Sequence, residues 1–354
     1  MIPSPGGQTL GCMTGFDRSR PPTRMAAIGL AHPHIFEMTR HLTEAGAELV
    51  AYERESHWLA QAFADQYPGS EARVERAAIL EDESLSLVLG AGIPAERAGL
   101  GIEVLRHGKH FVSDKPAFTT LEDLTEARRV QAETGRRFVV WFSERLDSRA
   151  TLRAGELVRE GAVGRVLQTI GLGPHRLQAD ARPPWFFERA SYGGILTDLA
   201  SHQMDQFLWF ARTTTARIVA ATVANRAHPE HPGLQDFGEA VLEADGVSGY
   251  TRVDWFTPDG MPTWGDGRLV VLGTEGQIEV RKNADVEGRP GGDHLFLVDR
   301  NGTRYLDCSS DPLPFASRLL EDLRERTEAA IGQEHCFVAS ELALRAQGLA
   351  ETPR

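Results

Sequence analysis

Lysine is almost missing from this chain. Of 38 basic residues only Lys109, Lys115 and Lys282 are lysines and the rest are arginine, so each retained ammonium invites a reason. Cysteine is equally sparse. Cys12, Cys308 and Cys336 are odd in number, widely spaced and without a CxxC pair, which argues against a disulfide framework or a thiolate metal site and fits a reducing, cytoplasmic compartment. There is no basic block to track a phosphate backbone, and 50 acidic residues leave a formal charge of -12, so nucleic acid is not an expected partner. No apolar run approaches the roughly 18 residues of a membrane helix, and a membrane is not expected either. Residues 1–24 are rich in Gly, Pro, Ser and Arg. They lack the apolar centre of a secretory signal and read as a disordered extension. Because Met25 abuts the first strand-like run, the translation start is open between Met1, Met13 and Met25.

With 354 residues, 41% of them hydrophobic, the chain is too long for one ordinary core, and two domains are expected. From 25 to about 145, short apolar runs at 26–30, 48–52, 85–91, 110–113 and 137–142 alternate with amphipathic segments at 35–45, 57–67, 95–107 and 121–134. That alternation predicts a doubly wound parallel sheet flanked by helices. After a helix at 148–160 the pattern changes to strand-like runs at 166–170, 218–223, 239–243, 250–255, 269–272, 277–280, 295–298 and 304–306, separated by Gly, Pro, Asn or Asp turns. Residues 146–315 therefore read as a mostly antiparallel, open-faced sheet with flanking helices, whose uncovered face suits a homodimer or homotetramer. Residues 316–354 read as helices packing back on the first half. The fold class is α/β followed by α+β.

Strand one runs into Gly29-Leu30-Ala31-His32-Pro33-His34 and then a helix, where a dinucleotide-binding Rossmann fold places its phosphate turn. Only the first glycine of G-x-G-x-x-G is present; Ala31 and His34 stand at the other two positions. Glu53, ending strand two, is placed to accept ribose hydroxyls, which favours NAD, while Arg54 could pair with the 2'-phosphate of NADP.

Gly108-Lys109-His110-Phe111-Val112-Ser113-Asp114-Lys115-Pro116 lies at the carboxyl end of strand four, the edge where open α/β sheets bind ligands. An ammonium there can stabilise an alkoxide. In the run Tyr192-Gly193-Gly194-Ile195-Leu196-Thr197-Asp198-Leu199-Ala200-Ser201-His202-Gln203-Met204-Asp205, helical spacing sets Asp198, His202 and Asp205 on one stripe. Such an Asp–His pair is either a helix-surface ion pair or an acid–base couple.

Together the two runs resemble the Gfo/Idh/MocA family of oxidoreductases, a resemblance that extends over about residues 25–350 and includes Arg145 and the 161–164, 171–176 and 182–185 stretches. It implies an NAD- or NADP-dependent enzyme that transfers hydride between a secondary alcohol of a sugar, inositol or related polyol and nicotinamide. It also implies that Lys115 contacts nicotinamide ribose and substrate, that Asp198 positions substrate, and that His202 acts as general base. A cis Lys115–Pro116 bond is expected on the same ground. The chain departs from the family in having Asp114 where Glu is usual, in its depleted glycine turn, and in Pro94-Ala95-Glu96-Arg97 replacing Pro-Asn-x-x-His; Arg97 reads as structural. The cofactor-binding set is then Gly29, Ala31, His32, His34, Glu53, Arg54, Pro94, Asp114 and Lys115, with His175 and Trp185 joining Asp198 and His202 around substrate.

Two histidines separated by a proline are not a coordination sphere, so no metal is expected. The dense segments 254–260 and 264–268 read equally as a pocket rim or a subunit contact. A non-catalytic NAD(P)-binding regulator and an NAD-dependent hydrolase or lyase working by transient oxidation are the competing readings.

Overall fold

The computed structural model describes residues 21–54 and 58–352; most of the predicted N-terminal extension, with Met1, Cys12 and Met13, lies outside them. Six strands, β1 (Arg24–Leu30), β2 (Glu48–Glu53), β3 (Glu71–Arg73), β4 (Leu87–Ala91), β5 (His110–Asp114) and β6 (Phe138–Trp141), form a parallel sheet in the order β3-β2-β1-β4-β5-β6. Every residue of β4 is buried, as expected of a parallel strand covered on both faces. Glycine makes the tight helix–sheet packing there possible. A Cβ on Gly90 of β4 would fall 2.5 Å from the Phe111 ring, and one on Gly101 of the Pro94–Arg106 helix would fall 2.2 Å from Phe138.

The second sheet has eight strands: β7 (Val166–Pro174), β8 (Arg217–Ala224), β9 (Phe237–Ala244), β10 (Val247–Asp254), β11 (Arg268–Gly273), β12 (Gly276–Arg281), β13 (His294–Asp299) and β14 (Gly302–Asp307). Their order is β14-β13-β12-β11-β7-β10-β9-β8. All pairings are antiparallel except β7 with β10. Its inner face receives the Ser201–Ala211 helix, and the approach is close. A Cβ on Gly171 or Gly173 of β7 would come within 2.6 or 2.9 Å of the Gln203 side chain. Val219 and Leu272 stay exposed on this sheet. Among the described residues no helix is long and apolar enough to cross a membrane.

Two differences from the sequence reading concern the stretch after β2, where β3 and the Arg76–Leu80 helix appear although no element was predicted between 67 and 85. Both are short and mostly charged or exposed, so no apolar period marks them. The C-terminal Gln333–Glu351 helix does reach the first half. The Gln333 amide donates to Phe138 O (2.8 Å) and accepts from Phe138 N–H (2.9 Å), closing the edge of β6. The same helix serves the second half through Gln347, which accepts from Leu196 N–H at 2.9 Å.

Beneath that junction the Arg145 guanidinium grips Asp205 with two bonds of 2.7 and 2.6 Å, and His335 Nε2 sits 2.7 Å from the same carboxylate. Burial alone would raise the Asp205 pKa, but Arg145 and His335 bring it down to about 2. Removing one partner of a buried pair strands the other charge, so Arg145→Ala is expected to lower unfolding stability by about 3–5 kcal/mol in urea titrations. A loss near zero would show that the pair is dispensable.

Candidate active site

The strand order reverses between β1 and β4, and the turns after these two strands touch. Gly29 has φ +74°, and a Cβ on it would meet Gly92 Cα and N at 2.9 Å. His32 and His34 follow at the start of the His34–Glu44 helix, their rings edge to face at 4.2 Å. Both turn Nδ1 toward Asp114 at the end of β5, His34 at 2.8 Å and His32 at 3.3 Å. Burial works to raise the Asp114 pKa, yet His34, Arg97 and His32 hold it well below the ordinary carboxylate value. Burial lowers the pKa of both histidines; Asp114 outweighs it at His34, whose pKa is raised, whereas that of His32 stays well below 6.5. The three ligand-type atoms lie within 4.8 Å of one another. Arg97 faces the same carboxylate at 3.1 Å, so the group is a hydrogen-bonded charge cluster whose guanidinium opposes an added cation.

Arg97 is fully buried. Its Nε donates to Gly92 O (2.7 Å) and its Nη1 to Lys115 O (2.6 Å) and Pro116 O (3.2 Å). It thereby fixes the Lys115–Pro116 turn, whose peptide bond is cis as expected. Lys115 Nζ leaves that turn and donates to Asp198 Oδ1 at 2.8 Å and Asp198 O at 3.2 Å, joining the first sheet to the short Ile195–Asp198 helix. His202 lies one turn further on. Its Nδ1 is buried without a partner among the described residues, which leaves Nε2 as the nitrogen available to a ligand. Burial pushes its pKa down to about 3, with Glu144 pulling up and Lys115 and Lys282 pushing down, so the imidazole is a neutral base.

Lys115, Asp198 and His202 line one cavity of about 500 Å³ together with His32, His34, Pro94, His175 and Trp185. His175 Nδ1 is bonded to Gly173 O at 3.0 Å, and burial lowers its pKa to about 4. Trp255 and Trp264 flank its ring at 5.4 and 4.4 Å, and the Arg182 guanidinium lies 5.3 Å from the Trp255 ring. The 254–268 region, ambiguous in sequence, therefore supplies cavity wall. Glu144, Lys282 and Asp147 also line it; none of them is in the site set read from sequence, where Lys282 stands out only as one of three lysines. Burial pushes Asp147 up to about 7 although Trp141 Nε1 donates to it at 2.7 Å.

Gly29, Ala31, Glu53 and Arg54 lie apart from this cavity, and Asp114 sits behind its histidines. The Glu53 carboxylate is buried and engaged, accepting from Gly29 N–H at 3.3 Å and from Arg76 at 2.9 Å. Ala31 accepts from the Trp58 indole at 3.0 Å and shares a smaller cavity with His32 and Trp185. Arg54 is exposed. Close contact of the two turns at the strand-order reversal and the cluster of lining groups from His32 to Lys115 fit the nicotinamide end of a dinucleotide.

The profile of the GFO/IDH/MocA C-terminal domain matches residues 151–279. A candidate oxidoreductase of solved structure from Erwinia carotovora atroseptica SCRI1043 is 46% identical, over 93% of this chain and 98% of that one, with a TM-score of 0.90. A D-xylose dehydrogenase of Paenarthrobacter nicotinovorans is 26% identical over 39% of this chain. The scyllo-inositol 2-dehydrogenase (NADP(+)) IolW of Bacillus subtilis (strain 168) is 27% identical over 44%. The matches span only 37% and 43% of those two curated relatives.

Because the folded-state pKa of His202 is depressed, its ring should stay neutral throughout the range from about pH 5 to 8 in which an ordinary histidine titrates. Nitrogen NMR of the imidazole checks this; an inflection near 6.5 would contradict the burial argument.

Proposed function

The chain belongs to the Gfo/Idh/MocA family, and from that premise we propose that it is an NAD(P)-dependent oxidoreductase acting on a secondary alcohol of a sugar, inositol or related polyol. The observation that carries this reading is the convergence of a Lys115–Asp198 ion pair and a neutral His202 in one cavity at the strand-order reversal. A bound nicotinamide dinucleotide supplies the hydride acceptor. His32, His34, Pro94 and Lys115 would hold its nicotinamide end.

His202, uncharged before the reaction and so with a lone pair free, takes the substrate hydroxyl proton at Nε2. Lys115 donates to the same oxygen and stabilises the alkoxide as charge develops, while Asp198 keeps the ammonium aimed. The indoles of Trp185, Trp255 and Trp264 stack on the apolar face of a sugar ring and exclude water. Both NAD and NADP remain in the proposal. Glu53 already accepts from Gly29 and Arg76, but its two oxygens keep lone pairs that can take ribose hydroxyls, and the exposed Arg54 can meet a 2'-phosphate. The apolar positions left open on the second sheet support assembly as a homodimer or homotetramer, and the sparse cysteines, with Cys308 and Cys336 free, support a cytoplasmic setting.

Nicotinamide fluorescence titration followed by an NADH- or NADPH-coupled polyol screen tests the reading; no binding of either cofactor at millimolar concentration would end it. Binding without turnover of any polyol would favour a regulator or a hydrolase or lyase. Lys115→Ala and His202→Ala should each lower kcat by about a hundredfold or more, and in His202→Ala cofactor affinity should be nearly unchanged. Near-wild-type turnover in His202→Ala removes it as the base.

A further inference from the structure

The three lysines do different work. Lys109 secures backbone, donating to Asp82 O at 2.7 Å and Leu85 O at 3.1 Å. Lys282, directly after β12, reaches the cavity wall and repeats the chemistry of Lys115. Its Nζ donates to Glu144 Oε2 at 2.7 Å and to Gln206 Oε1 at 3.1 Å. An ammonium carries three hydrogens, so one is left over among the described residues.

Glu144 has the complementary surplus. Its Oε2 accepts from Lys282, from Gln203 at 2.8 Å and from Gln206 at 3.4 Å, whereas its Oε1 is buried with no partner among the described residues. Leaving a buried carboxylate oxygen unpaired is costly unless a ligand or water completes it. Both side chains are more than nine-tenths buried, and both line the cavity that holds Lys115, Asp198 and His202. The Ser201–Ala211 helix connects the two pairs: Gln203 and Gln206 belong to the second, and Asp198 of the first lies one turn before His202.

We propose that Lys282 and Glu144 form a second hydroxyl-recognition station, so that the substrate is an uncharged polyol held by two hydroxyls. One lies at Lys115–Asp198, where oxidation occurs, and one at Lys282–Glu144. A hydroxyl both accepts and donates, so it can take the free Lys282 hydrogen and fill Glu144 Oε1. A substrate carboxylate can do only the first and is repelled by Glu144. The proposal rests on the polyol-oxidoreductase reading and names the groups that select within it.

The test compares wild type with Lys282→Met, Glu144→Gln and the double variant on myo-inositol and D-xylose, with NAD and NADP each supplied. Each variant is expected to raise KM for the polyol that wild type oxidises by about tenfold or more, the larger part of the loss lying in KM rather than kcat, since a site built to bond a hydroxyl discriminates through it. The double variant should be no worse than the poorer single one. Because it strands no charge, it keeps the test readable if a single variant does not fold. A loss confined to kcat, or an unchanged KM, overturns the station. If wild type oxidises neither, the polyol that the coupled screen finds takes their place; if it binds cofactor but oxidises no polyol, the oxidoreductase reading is at fault, and calorimetry with myo-inositol decides the station separately. Binding weakened about tenfold in the double variant supports it, while no binding to wild type or equal binding to both overturns it.

Discussion

The geometry of the cavity depends on the buried guanidinium of Arg97. Its donors tie the loop after β4, at Gly92, to the loop after β5, at Lys115 and Pro116, and its charge faces Asp114. A planar fork suits this task because it can meet several carbonyl oxygens and a carboxylate in one rigid arrangement. Asp114, held ionised, in turn orders His34 and His32 on the neighbouring loop. Three loops at one sheet edge are thus organised around one cation and one anion, and the reach of Lys115 toward Asp198 follows from a turn clamped at its own carbonyl.

The second sheet contributes by bringing one helix very close. Without side chains at Gly171 and Gly173, Gln203 can lie against β7 and bond Glu144, which comes from the short Ser143–Leu146 helix after β6. The Arg145–Asp205–His335 cluster packs beneath the same helix. Four buried ions are matched with an opposite charge, Lys115 with Asp198, Lys282 with Glu144, Arg145 with Asp205 and Arg97 with Asp114, whereas Lys109 is satisfied by carbonyl oxygens. Uncompensated burial of any one of these ions would cost more than a small domain can spare.

Most of the fold could be read in advance because periodicity carries it: the five long runs of the first half and all eight of the second are strands. What periodicity could not report was depth and pairing. It put Asp205 on the same stripe as Asp198 and His202, but Asp205 turns to Arg145, a partner 60 residues away. Glu53 stands where a ribose-binding acid was expected, yet Arg76 and the Gly29 amide already hold it, and Arg76 belongs to a helix without an apolar pattern. Glu144 and Lys282 are 138 residues apart. Nothing local links them; the only clue was how few lysines the chain keeps.

All three of those lysines are buried: Lys109 and Lys115 are each 4% exposed and Lys282 is 9% exposed. Of the lysine and arginine side chains, only arginine carries charge on the outer surface, which offers aldehydes no exposed ε-amine. Open-chain sugars damage proteins by condensing with just such amines. The cavity proposed to take polyols is therefore set in an exterior poor in the nucleophiles that glycation requires.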